Sequence, residues 1–199
     1  MTKVKGLLVM DVDSTLIQEE GIDLLGEEAG VGEKIADITA RAMNGELDFK
    51  QALDERVSLL KGLPESIFEQ VLERMHFTKG AEKLVAELHR RGKRLGLDYV
   101  KANRLEVAEG VLTGRVLGEV VTKEVKKAKL QEWAAENGLE LSQTIAMGDG
   151  ANDLPMIKTA GMGIAFCAKP IVRQEALYQI NEPDLYHLID LLDQKESRV

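Results

Sequence analysis

The sequence predicts an α/β fold with a mostly parallel sheet, because short apolar runs alternate with segments in which apolar residues recur at helical spacing. Residues 4–10 and 144–147 are apolar runs typical of buried parallel strands, and acidic residues follow each run at once. In an open α/β sheet the functional groups collect at the carboxyl ends of the strands. The sequence therefore predicts a site where these two runs end.

A helical insert follows the first strand. Between that strand and about residue 75 no strand pattern occurs, and helical spacing is interrupted at Gly45 and again at Gly62 before a further helix opens at Pro64. The insert has the size of a small domain. We predict an α/β core formed by residues 1–15 and 76–199, with a helical cap at 16–75.

The remaining elements follow in order behind the insert. Glycines punctuate a predicted hairpin near Gly110 and Gly114, and the flanking pattern alternates between helices and strands. The predicted elements are a helix at 81–91, a strand within 95–102, the hairpin, a helix at 123–137, strands at 144–147, 163–166 and 178–180, and helices at 152–160, 170–176 and 184–193.

Composition restricts the classes of function. The chain has 199 residues, of which 44% are hydrophobic and 30% charged, and its net charge is -8, which argues against nonspecific nucleic-acid binding. Its first residues lead straight into a strand and are too short an apolar stretch for a signal peptide or membrane span. The single cysteine, Cys167, excludes an internal disulfide and is expected to be a buried packing residue. We expect a cytoplasmic monomer or homodimer with a small-molecule substrate.

The first acidic pair is Asp11 and Asp13, which directly follows the first strand. A carboxylate can attack phosphorus and form an aspartyl phosphate, and a second one can protonate the leaving alkoxide and later activate water. Two other interpretations exist for such a pair: capping aspartates at a strand-to-helix turn, and an EF-hand loop. The EF-hand is excluded because Leu16 and Ile22 occupy the positions that require glycine and glutamate.

The second acidic pair, Asp149 and Asp153, favours a functional interpretation of the first pair over a capping role. Asp149 lies between two glycines at the end of the second apolar run, and Asp153 follows four residues later. Four carboxylates delivered to one sheet edge are a ligand set for Mg²⁺. A cation that holds phosphoryl oxygens is expected from the lysines that open the preceding helix, and Lys126 is the predicted one.

These motifs resemble the haloacid-dehalogenase superfamily of phosphatases, and within it the members that act on phosphoserine. The run Asp11-Val12-Asp13-Ser14-Thr15-Leu16 is similar to the first motif of that family, and Gly148-Asp149-Gly150-Ala151-Asn152-Asp153 is similar to the last. Further similar segments are residues 56–60, 96–99, 102–105 and 165–170.

The resemblance implies Mg²⁺-dependent hydrolysis of L-phosphoserine to L-serine and phosphate, the last step of serine biosynthesis. It implies that Asp11 is the nucleophile and Asp13 the general acid and base. Mg²⁺ is then held by the Asp11 carboxylate, the Asp13 carbonyl and Asp149, with Asp153 supporting the site and Asn152 facing the substrate.

The resemblance also assigns roles within the cap, which closes over the ligand. It implies that Glu20 recognises the substrate ammonium group and Arg56 its carboxylate. Met43 and Phe49 then line the apolar wall beside the substrate.

One expected motif is missing. The family carries Ser-Gly-Gly after a strand, behind the helix that here ends at Gly92, but residues 92–99 run Gly-Lys-Arg-Leu-Gly-Leu-Asp-Tyr without a serine. An intact strand, turn and helix need roughly 18 to 20 residues. We therefore expect a core that is short of one βα unit, with a lowered activity. Two alternatives stay open: a non-catalytic Mg²⁺ or phosphate-binding remnant, and a phosphatase of another small phosphate ester.

Overall fold

The chain was analysed as a computed structural model, which describes residues 6–43, 46–92 and 98–196. In chain order its main elements are β1 (Leu7–Met10), α1 (Gly21–Glu28), α2 (Gly32–Met43), α3 (Phe49–Ser58), α4 (Ile67–Glu73), α5 (Ala81–Gly92), β2 (Arg104–Ala108), β3 (Val111–Leu117), α6 (Lys123–Glu136), β4 (Thr144–Gly148), α7 (Leu154–Thr159), β5 (Met162–Phe166), α8 (Pro170–Glu175), β6 (Tyr178–Ile180) and α9 (His187–Glu196).

The chain forms two compact units. The first, called the α/β unit, consists of Met1–Gln18, Phe77–Val100 and Lys123–Val199. The second, called the cap unit, consists of Glu19–His76 and Lys101–Thr122. Each unit has its own apolar core.

The α/β unit is built on a four-stranded parallel sheet with the order β1-β4-β5-β6. Side chains alternate between its faces, so Leu8 and Met10 pack on one face while Leu7 and Val9 pack on the other. Residues of α5 and α9 cover the first face, and residues of α6, α7 and α8 cover the second. This arrangement confirms the predicted α/β fold with a parallel sheet.

The cap unit packs its helices against a hairpin. Leu112 of β3 is 1% exposed and belongs to the same apolar cluster as Leu24, Ile35 and Leu60. The backbone of Leu112 also accepts from the Gly62 amide at 2.8 Å and donates to the Leu63 carbonyl at 2.8 Å. The hairpin, which the sequence had placed in the α/β core, thus belongs with the helices. The prediction was wrong on this point because Leu112 packs into the apolar core that the helices form, a long-range contact.

Two local expectations were wrong. Cys167 is exposed, because β5 ends at Phe166 and the chain turns there with a positive φ of 42°. Residues 98–102 form no strand; Tyr99 instead stacks on Trp133 of α6 with ring centroids 5.0 Å apart. The first part of that predicted strand, residues 95–97, lies outside the described residues.

Within the described part of the chain, no helix is both long enough and apolar enough to cross a bilayer.

Candidate active site

The site begins where β1 and β4 end side by side. Met10 is level with Met147 in the parallel register, and the amide of Asp11 donates to the Met147 carbonyl at 3.0 Å. The residues that follow these strands, Asp11 and Asp149, are therefore delivered to one edge of the sheet, as the sequence predicted.

The turn after β1 holds Asp11 in an extended conformation. Its φ and ψ are -65° and 160°, and its carboxylate accepts from the amide of Val12 at 2.9 Å. Asp13 is also extended, Ser14 has a positive φ of 54°, and Thr15 and Leu16 are buried. The buried pair anchors the turn, which leaves Asp11 and Asp13 only partly covered at the sheet edge.

Lys126 lies between two carboxylates. Its Nζ is 2.8 Å from Asp11 Oδ1 and 2.6 Å from Asp153 Oδ1, and its side chain is 13% exposed. Leu130, one helical turn further along α6, is fully buried, so the face of α6 that carries both residues points inward. Lys127 is exposed. Lys126, and not Lys127, therefore points into the acidic cluster. Its contact with phosphoryl oxygens stays a prediction.

Two glycines make room for the second acidic pair. A Cβ atom at Gly148 would lie 2.4 Å from the Asp153 carboxyl carbon, so a larger residue there displaces Asp153. The amide of Gly150 donates to Asp153 Oδ2 at 3.1 Å. The carbonyl of Asp149 accepts from the Lys169 amide at 3.0 Å, which ties this loop to the end of β5. Sequence reasoning used these glycines only as turn markers and missed their steric role.

Three carboxylates lie close together at the site, so their negative charges repel one another. Carboxylate oxygens of Asp11, Asp149 and Asp153 all lie within 4.8 Å of one another. Burial, followed by repulsion from Asp11, raises the pKa of Asp153 above its usual value, although Lys126 opposes the shift. Burial lowers the pKa of Lys126, but the charges of Asp153 and Asp11 outweigh it, and the pKa lies above its ordinary value. Lys126 is therefore the fixed positive charge of the site.

This donor set fits a hard divalent cation. All three donors are carboxylate oxygens, and one ammonium group leaves two of the three negative charges unbalanced. Asp13 is expected to contribute its backbone carbonyl, and that role stays a prediction. Asn152 is half-buried in the same loop as Asp153, and its contact with substrate stays a prediction as well.

The residues expected to recognise the substrate lie in the cap unit. Glu20 immediately precedes α1 and is exposed, Phe49 opens α3 with 41% exposure, and Arg56 is half-buried on α3. The Nε of Arg56 donates to the carbonyl of Ala52 at 3.1 Å. Met43 closes α2, and its side chain lies outside the described part of the structure.

Asp23 of α1 is within electrostatic reach of Arg56. Burial raises the pKa of Asp23, and the positive charge of Arg56 partly offsets that shift. Asp23 comes three residues after Glu20, which places both near one face of the first turn of α1. The sequence shows the spacing of three residues between Glu20 and Asp23. It does not show that Arg56 of α3 lies near Asp23, because that depends on how α1 and α3 pack.

Binding of Mg²⁺ should stabilise the protein, because it neutralises carboxylates that repel one another. At about 100 times the dissociation constant we expect a gain of about 2.7 kcal/mol, measured as a rise in Tm by scanning calorimetry. Asp149→Asn should lose most of this rise. The matched variant Asp54→Asn, an exposed acid of α3, should keep it; an equal rise in both variants would show that the cation binds elsewhere.

Replacing Lys126 by methionine should destabilise the metal-free protein by about 3 to 5 kcal/mol, because it leaves buried carboxylates unpaired. The loss should be larger at pH 8 than at pH 5. Burial raises the pKa of Asp153, and the variant lacks the Lys126 charge that opposes this shift, so Asp153 holds its proton more tightly in the folded variant than in the parent. The variant therefore loses more stability than the parent as the pH rises. Urea unfolding at both pH values tests this, with exposed Lys127→Met expected to stay within about 0.5 kcal/mol of the parent.

Comparison with known proteins agrees with this geometry. Residues 6–161 match the family of haloacid dehalogenase-like hydrolases. The chain is 68% identical to a phosphoserine phosphatase of Streptococcus thermophilus, with 98% of this chain and 99% of the relative covered. It is 53% identical to a phosphoserine phosphatase of Lactococcus lactis, with 95% and 96% covered. A substrate-bound phosphoserine phosphatase structure and a phospho-aspartyl intermediate analogue each superpose with a TM-score of 0.87 at 43% identity, over 95% of this chain and 99% of theirs.

The alignments with these relatives are longer than this chain. The alignment with the S. thermophilus protein has 212 positions, whereas 98% of 199 residues is about 195, so about 17 positions have no residue here. The alignment with the L. lactis protein has 207 positions and covers 95% of this chain, which is about 189 residues. About 18 of its positions therefore have no residue here. With the family matched over most of its length and the acidic edge in place, the chain belongs to the haloacid dehalogenase-like hydrolases, and within them to the group of the phosphoserine phosphatases.

Proposed function

We propose that this chain is a cytoplasmic, Mg²⁺-dependent phosphatase that hydrolyses L-phosphoserine to L-serine and phosphate. The observation that carries the proposal is the junction of Asp11, Lys126 and Asp153, with contacts of 2.8 and 2.6 Å, at the acidic edge of the sheet. It supports the proposal because Asp11, the proposed nucleophile, lies beside the positive charge of Lys126. The names of the similar proteins supply the substrate.

The chemistry follows from the residues at this edge. An oxygen of the Asp11 carboxylate attacks phosphorus, a P–O bond to the aspartate forms, and the P–O bond to the serine oxygen breaks. Asp13, carrying a proton, gives it to the departing serine oxygen. It then takes a proton from the water that attacks phosphorus, the P–O bond to Asp11 breaks, and inorganic phosphate leaves. Lys126, next to Asp11, holds the phosphoryl oxygens. Mg²⁺, when bound, supplies charge neutralisation to the same oxygens.

Recognition of the amino acid is assigned to the cap unit. A zwitterion needs one negative and one positive partner, and Glu20 and Arg56 supply them. The guanidinium of Arg56 is suited to bidentate contact with a carboxylate. Asp23 of α1 feels the positive charge of Arg56, which partly offsets the effect of burial on the pKa of Asp23. Phe49 and Met43 provide the apolar wall.

The rate is expected to be low. The expected serine of the second motif is missing from the sequence, and the aligned relatives carry about 17 positions that this chain does not. Loss of one donor to a developing charge costs on the order of a hundredfold or more in rate. Relative to a typical turnover of about 10 per second, we expect about 0.1 per second or less.

Release of inorganic phosphate from L-phosphoserine with Mg²⁺ tests the proposal. Asp11→Asn should lower the rate by at least about a thousandfold because it removes the nucleophile, and EDTA should abolish it, while Asp54→Asn should match the parent. Release that survives Asp11→Asn would refute the covalent mechanism. A rate of about 10 per second would refute the impairment.

Substrate recognition is tested with O-phosphoethanolamine, which lacks the carboxylate of phosphoserine. Arg56→Ala should lower kcat/KM for L-phosphoserine by about 10- to 150-fold, the worth of a charged hydrogen bond of about 1.5 to 3 kcal/mol, and leave O-phosphoethanolamine nearly unchanged. Arg41→Ala, which removes ion pairs to Glu46 and Glu55 in the same unit, is the matched control. Equal losses on both substrates would assign Arg56 a structural role.

Two alternative functions predict different results in the phosphate-release assay. Comparable rates on sugar phosphates would favour a phosphatase of another small ester. Thermal stabilisation by Mg²⁺ and phosphate without any release would favour a non-catalytic binding protein.

A further inference from the structure

The carboxylate of Glu19 holds the chain segment that leads into α1. Its Oε2 atom accepts from the backbone amide of His76 at 2.9 Å, and its Oε1 atom accepts from Nδ1 of the same residue at 2.8 Å. One carboxylate thus engages a main-chain and a side-chain donor at once, and such charge-assisted bonds are the stronger kind. These two contacts together are called the Glu19 clasp.

The clasp lies beside backbone pairing that brings its two segments together. Ile17 and Phe77 form an antiparallel bridge, and the amide of Thr78 donates to the carbonyl of Leu16 at 2.9 Å. The two residues of the clasp therefore belong to segments that the backbone already aligns. The clasp consequently needs little further ordering of the chain.

α1 is tied to the same stretch of chain at its other end. Arg74 donates to Glu28 at 2.6 Å and also contacts Glu27, and both acids belong to the last turn of α1. Between the two ends, Leu25 of α1 and Val71 of α4 lie in one apolar cluster. α1 is thus held at both ends and along its buried face.

Glu20 lies between the clasp and the first turn of α1. Its carbonyl accepts from the amides of Asp23 and Leu24 at 3.1 and 3.2 Å, so its backbone begins the helix. On the other side its backbone continues directly from Glu19 of the clasp. Because the main chain is held on both sides, Glu20 reaches a ligand by rotation of its own side chain.

We propose that Glu19 is a positioning residue for recognition of the substrate ammonium group, because the clasp fixes the backbone from which the Glu20 side chain extends. This inference rests on the proposed function, in which Glu20 contacts that group. Preorganisation raises affinity, since the ordering of chain segments and side chains otherwise opposes binding. Loss of the clasp therefore weakens binding of compounds that carry an ammonium group and has little effect on compounds that lack it.

Titration of Glu19 tests the clasp without any substrate. Hydrogen bonds from the backbone amide of His76, and then from its side chain, hold the pKa of Glu19 below its ordinary value. The clasp is therefore complete above the ordinary pKa and is lost as the pH falls through the lowered one. Carbon-13 NMR of the Glu19 carboxyl group should show this low midpoint, and His76→Leu should raise it. An unchanged midpoint in that variant would overturn the clasp.

The kinetic test compares two substrates. 3-Phosphooxypropanoate keeps the phosphate and carboxylate of L-phosphoserine but lacks the ammonium group. The ammonium preference is the kcat/KM for L-phosphoserine divided by that for 3-phosphooxypropanoate. Glu20→Ala should lower it by about 10- to 150-fold, the worth of a charged hydrogen bond. Glu19→Ala should lower it by about 5- to 30-fold, mainly through KM, because the contact of Glu20 is weakened and not removed.

Glu106→Ala is the matched control for Glu19→Ala. Glu106 lies on the hairpin of the cap unit, where its carboxylate also has two partners, Thr113 and Arg115. Its side chain is 28% exposed, close to the 22% of Glu19. The control should leave the ammonium preference within about twofold of the parent.

Two variants of His76 grade the effect. His76→Leu keeps the backbone donor and the Glu19 carboxylate, so it should lower the ammonium preference by a smaller factor than Glu19→Ala. His76→Asn restores a side-chain donor and should recover most of the preference. A preference as low in His76→Asn as in His76→Leu would contradict the role of the ring contact.

The outcomes separate this proposal from the proposed function. A lowered ammonium preference in both Glu20→Ala and Glu19→Ala supports both. A loss in Glu20→Ala alone, or an equal loss on both substrates in Glu19→Ala, overturns the positioning role and leaves the proposed function intact. A parent without any preference refutes ammonium recognition by Glu20 and the positioning role with it.

A parent that releases no phosphate refutes the proposed function, and titration calorimetry then decides the positioning role. The dissociation constants of the two compounds give the same preference, and the same variants should lower it. Absence of binding by either compound would overturn the positioning role as well.

Discussion

The ammonium group of Lys126, held between Asp11 and Asp153, is the interaction on which the rest of the site depends. It joins the end of β1, the first turns of α6 and the loop after β4 through contacts of 2.8 and 2.6 Å. Asp153 is fully buried, and a buried carboxylate without a partner is strongly destabilising. The position of α6 relative to the sheet is therefore coupled to the charge balance of the acidic edge.

The same charge balance explains why this edge suits metal-assisted phosphoryl transfer. Three carboxylates and one lysine leave a deficit of positive charge, which a divalent cation would offset. Gly148 allows Asp153 to take its position, because a Cβ atom at Gly148 would lie 2.4 Å from the Asp153 carboxyl carbon. Gly150 contributes its amide, which donates to Asp153. The loop after β4 is therefore constrained twice: its glycines must stay small, and its acids must be balanced by positive charge.

The sequence by itself determined the order of strands and helices, the two acidic pairs and the predicted lysine, because hydrophobic period and the residues that follow a strand are local properties. The tertiary structure decided what depends on distant segments meeting. It placed the hairpin with the cap unit through Leu112, exposed Cys167 beyond the end of β5, and brought Asp23 on α1 under the influence of Arg56 on α3. Such contacts are chosen by packing and pairing between remote parts of the chain, which no local pattern encodes.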